Sequence, residues 1–212
     1  MPATLRHAAA LGLAAALLNL LVAPFHGAAY FATADGGEDL LPHQRAWGEA
    51  LRGALPGAFA FDDPYGVYLA YGKLTAVAVA LYAAAMVALV LARPRRAGGL
   101  GKATAAAWSL FALLAAAEYF TPFTDQVFLA LVPVLLATLV LTGLLGRKLA
   151  RGGGTPRLFA HALLGGAVAF VPVVIVAGHI PFGLLGLGAA WGLLVALGLR
   201  RVAKGPQPVA EA

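Results

Sequence analysis

With 212 residues, 61% of them apolar and only 11% charged, the chain has too few charges to shield its hydrophobic surface from water, which excludes a soluble globular fold. The net charge of +6 does not indicate nucleic acid, because the Lys and Arg residues fall in short clusters between apolar runs, as in loops held at an anionic membrane surface. The absence of cysteine excludes disulfides, thiolate catalysis and Cys-ligated metals.

Six apolar runs are long enough to cross a hydrocarbon core of about 30 Å at about 1.5 Å per residue. They lie near residues 8–31, 67–92, 104–121, 127–146, 158–178 and 182–199. The predicted fold is all-α: a polytopic membrane bundle of six transmembrane helices within residues 1–204, followed by a flexible tail at 205–212. The Ala/Gly/Leu/Arg bias suggests a bacterial inner membrane. No Rossmann, P-loop or zincin pattern is present.

Run one follows Arg6 and His7 and contains Asn19, Pro24, His26 and Tyr30. Together with Ala32-Thr33-Ala34 it resembles a signal peptide, but it is longer than the usual 7–15 apolar residues and carries Asn19, Pro24 and His26. An uncleaved first span is therefore expected.

The loop at 32–66 is the one long polar segment between apolar runs. It holds Asp35, Glu38, Asp39, Glu49, Asp62 and Asp63. Within it, Pro42 to Leu55 reads as a short amphipathic helix, with Trp47, Leu51 and Leu55 at i, i+4 and i+8 on one face. Arg45, Glu49 and Arg52 are spaced for ion pairs on another face. Pro42 suits a first helical turn and Pro56 ends the helix, giving a lid or surface helix anchored by Trp47. Phe61 to Gly66 reads as a turn, and Tyr65, Tyr68 and Tyr71 as an interfacial aromatic belt.

Orientation follows from the cations. Arg6; Arg93, Arg95, Arg96 and Lys102; Arg147, Lys148, Arg151 and Arg157; and Arg200, Arg201 and Lys204 belong on one side. Arg45, Arg52 and Lys73 remain for the other, with every acid except Glu211. Since cytoplasmic loops are the basic ones, both termini are expected inside and the large loop outside.

Ionisable groups inside a span cost roughly 2.5–3.5 kcal/mol on insertion scales, so each needs a partner, water or a function. Lys73, Glu118, His26 and His179 all fall near the outer ends of their spans, with Asp125, Tyr30 and Tyr119 close by. These residues can be structural: Lys73 can snorkel and Glu118 can pair with it. They can also form an outward-facing polar pocket. Lys73 and Glu118 would then be its charged core, His26 and His179 its titratable rim, and Tyr30 and Tyr119 its hydrogen-bonding walls. Asn19 is expected to bond across helices, and Pro24, Pro133 and Pro172 to kink theirs. Gly188 and Gly192, extended by Ala196, form a close-packing pattern within the fold or between subunits.

His7 and His26 bracket run one, and His161 and His179 bracket run five. Their separations span about 27–29 Å at 1.5 Å per residue, which puts them at the membrane edges rather than around haems buried within it. Zinc held by His26, His179 and Glu118 has acceptable chemistry but no supporting local motif. No cofactor is therefore predicted. The leading expectation is a non-enzymatic membrane protein that binds or passes a small solute, ion or proton on the outer side. The alternative is an accessory subunit, in a homo-oligomer or with a membrane partner, docking through the outer loop, and after it a haem- or metal-dependent membrane enzyme or electron carrier.

Overall fold

The computed structural model describes residues 3–34, 36, 41–60, 63–122 and 124–151, with isolated positions between 161 and 176. They are largely helical: α1 (Ala3–Tyr30), α2 (Pro42–Ala54), a 3₁₀ turn at Pro56–Phe59, α3 (Pro64–Ala92), α4 (Pro94–Phe120) and α5 (Thr124–Arg151). Four of these, α1, α3, α4 and α5, are long and apolar enough to cross a membrane, consistent with a membrane-spanning bundle. Six spans were expected. The run near 182–199 and most of that near 158–178 lie outside the described residues, as do His179, Gly188 and Gly192.

α1 packs along α3, α3 on α4, and α4 on α5. Each pair is antiparallel. The late residue His26 of α1 meets early residues of α3, and Lys148 near the end of α5 meets Ala97 near the start of α4. The connectors therefore alternate ends. The described residues between 31 and 63 occupy one end of the bundle, and the basic segments 93–102 and 147–151 the other.

Packing repeats in alternating steps of three and four residues, the geometry of left-handed helix pairs. On α1 the buried positions include Ala8, Ala15, Asn19, Val22, His26 and Ala29; on α3, Tyr68, Thr75, Val79, Tyr82, Met86 and Leu89. Small residues in these seams let backbones approach closely, which matters where lipid is as apolar as the helix. The central layer of α3, α4 and α5 is held by Trp108. Its ring meets Tyr82 edge-on at 4.5 Å, and its Nε1–H donates to Thr142 Oγ1 at 3.0 Å. Thr142 in turn donates to Thr138 O at 2.7 Å, so the buried polar atoms are satisfied in series.

Pro24 and Pro133 lie inside continuous helices. The break in the bundle comes at Gly98 instead, whose φ of 58° interrupts α4 just after its first turn. That left-handed conformation favours glycine because a Cβ would be strained there.

The loop segment differs from expectation in detail. Asp63, Pro64 and Gly66 start α3 rather than forming a free turn: Asp63 Oδ1 accepts the Gly66 N–H at 2.6 Å and Pro64 sits in the first turn. The helix expected from Pro42 ends at Ala54, one residue early, and Leu55 is its exposed C-cap rather than part of an apolar face. Gln44 and Gly48 are buried, with Trp47 and Leu51 half-buried beside them. Gln44 Oε1 accepts the Leu41 N–H at 2.9 Å, closing the start of the helix.

Candidate functional site

Where α1, α3 and α4 meet at the loop end, their seams carry polar side chains in place of aliphatic ones. His26 and Glu118 are 1% and 5% exposed, so both are committed to the interior rather than to the surface. Tyr68 stacks on the His26 ring with centroids 4.9 Å apart, and Tyr119 meets the same imidazole edge-on at 5.4 Å. Thr75 Oγ1 lies 3.2 Å from His26 Nδ1 and donates to Tyr71 O at 3.1 Å. With that hydroxyl hydrogen on Tyr71 O, His26 Nδ1 is the donor toward Thr75.

The Tyr68 and Tyr119 hydroxyls are 3.4 Å apart, and the buried Glu118 carboxyl lies beside both phenols. Tyr30 closes the cluster, its ring centroid 5.6 Å from that of Tyr68. Two phenols, an imidazole and a threonine hydroxyl are thus linked by hydrogen bonds and ring contacts across three helices, with the Glu118 carboxyl buried next to them. Such groups can exchange protons or coordinate a cation, and ring faces add attraction for positive charge.

The geometry depends on Gly72. A Cβ there would clash with the edge of the Tyr119 ring, so the phenol lies directly on the α3 backbone. Gly72 sits between Tyr68 and Thr75 at helical spacing, which turns all three toward α1 and α4.

Of the sequence-predicted site residues, His26, Glu118, Tyr119 and Tyr30 come together. Lys73 does not join them: it is exposed, with its ammonium 5.7 Å from the ring centroid of Phe120. One residue from Gly72 is about 100° around a helix, and the ammonium follows that outer face. His179 lies outside the described residues, as does the side chain of Asp125. Tyr68 and Thr75 were not singled out as site residues, Tyr68 having been assigned to the aromatic belt. Their spacing with Gly72 on one helical face was the available signal.

For the haem alternative, His7 and His161 are both exposed. For zinc, no group of three potential ligands gathers among the described residues, and one of the three proposed lies beyond them.

The segment 41–60 lies over this end of the bundle. Arg52 donates through a guanidinium nitrogen to Ala28 O, and Trp47 meets Phe31 edge-on at 4.9 Å. Phe59 stacks against Phe25 at 5.9 Å, and Tyr71 donates its hydroxyl to Ala58 O at 2.7 Å. Arg52→Ala removes a charged donor worth about 1.5–3 kcal/mol. Amide exchange across α2 is therefore expected to accelerate roughly 10–100-fold, while global unfolding changes by less than about 1 kcal/mol. Hydrogen-exchange mass spectrometry on the full chain reads both.

No family model, curated protein or solved structure matches the chain.

Proposed function

We propose that the protein is a non-catalytic, multi-pass protein of the cell inner membrane, with both termini cytoplasmic, and that its outer polar cluster binds or passes a proton or small cation. The orientation rests on the separation of the basic connectors from the acid-rich loop. The observation that carries the function is the meeting of Glu118, His26, Tyr68 and Tyr119 inside the span ends. Lys73 points away, so the acidic member and the aromatic faces set the preference, and positive charge suits them better than an anion or a neutral solute.

Infrared titration in lipid nanodiscs tests this reading. A protonated-carboxyl band that responds to pH and to added sodium, potassium or methylammonium is expected in the native chain, and its loss in Glu118→Gln. A band insensitive to pH and to all three cations would remove the basis for the reading. The outer segment supports a second reading as a docking face, because α2 is anchored by Trp47 and Arg52 while Arg45 and Glu49 are exposed. Crosslinking of one membrane partner through residues 35–63 would favour it.

A further inference from the structure

At the opposite end of the bundle, a hydrogen bond joins the first turn of α4 to the last turns of α5. Lys148 Nζ donates to Ala97 O at 3.0 Å, immediately before the break at Gly98. This places Arg95 and Arg96, within two residues of Ala97, beside Arg147 and Arg151, within a turn of Lys148. Arg95, Arg96, Arg147, Lys148 and Arg151 are all exposed. No acidic residue occurs between Arg93 and Ala117 or between Gln126 and Arg157, so the charges carried by these two stretches are of one sign.

Basic residues at a helix C-terminus complement its dipole, and basic connectors orient a membrane protein. Neither role requires the two groups to converge. We propose that the paired ends of α4 and α5 bind the phosphate headgroup of an anionic phospholipid. Guanidinium groups match phosphate oxygens bidentately, and exposed basic side chains at paired helix ends suit an anionic headgroup whose acyl chains stay in the bilayer. The exposed Leu136, Val140 and Leu144 continue along α5 as an apolar face available to such chains.

The full chain, purified in detergent, is titrated with phosphatidylglycerol, with phosphatidylcholine and with inorganic phosphate, using native mass spectrometry and thermal unfolding. Preferential retention of phosphatidylglycerol is expected, weakened about 100-fold in the Arg95→Gln/Arg147→Gln/Arg151→Gln variant and unchanged in Arg45→Gln. If the triple variant does not fold, Arg147→Gln alone should weaken retention about fivefold. Equal retention of the two lipids, no loss in the folded variants, or equal protection by inorganic phosphate would overturn the proposal. The site is far from Glu118, so its failure leaves the outer cluster untouched.

Discussion

Trp108→Ala is expected to destabilise the bundle by about 3–5 kcal/mol, as for a large aromatic removed from a packed core. Trp108 is 1% exposed, meets Tyr82 at 4.5 Å and Phe111 at 5.8 Å, and donates to Thr142. Between helices in lipid there is little hydrophobic gain from burial, so dispersion contacts and hydrogen bonds must hold the interface. Removing the indole forfeits its contacts with three helices at once. Thr142→Val separates the two contributions. It keeps the ring packing and deprives Nε1–H of its acceptor, and interhelical hydrogen bonds in bilayers average about 0.6 kcal/mol with a maximum near 1.7. Reversible unfolding in bicelles should therefore rank Trp108→Ala well below Thr142→Val in stability. Near-equal effects would mean that the α3–α4–α5 layer is held by polar contacts rather than by packing.

The four described spans were legible because a lipid-facing helix advertises itself by length and hydropathy alone. Their inward faces were not, because the lipid-facing side is equally apolar. Leu17, Leu20 and Leu21 of α1 are 53%, 57% and 70% exposed, so hydrophobicity cannot separate them from the core. The better signal was the placement of small and polar residues. Asn19 and His26 lie seven residues apart on one seam of α1, and Gly72 and Thr75 mark the matching seam of α3. Those positions exclude Lys73 from the seam, yet nothing in one sequence says which face of α3 turns inward or which helix it meets. Tyr68 was ambiguous for a related reason: an aromatic at a span end can anchor at the headgroups or pack against a neighbour. α2 was more readable, since Pro42 and Pro56 bracket it and its polarity permits a surface position.

Gly72→Ala tests whether that inward face of α3 builds the candidate site. On helix propensity alone, glycine to alanine in a helix should stabilise by about 1 kcal/mol. At Gly53 of α2 a Cβ would meet nothing within 4 Å, and Gly53→Ala is expected to be neutral or stabilising. At Gly72 the sign should reverse, because the new methyl would occupy the space of the Tyr119 ring. Overpacking of this kind costs about 1–3 kcal/mol, since Tyr119 or the α3–α4 spacing must shift. Either shift disturbs the hydroxyl contact with Tyr68 and the edge contact with His26 while leaving every ionisable residue in the chain intact. The Glu118 infrared band should therefore change in Gly72→Ala and stay as in the native chain in Lys73→Ala, whose side chain is exposed on another face. The opposite pattern, with Lys73→Ala abolishing the cation response and Gly72→Ala preserving it, would transfer the site to the other face of α3.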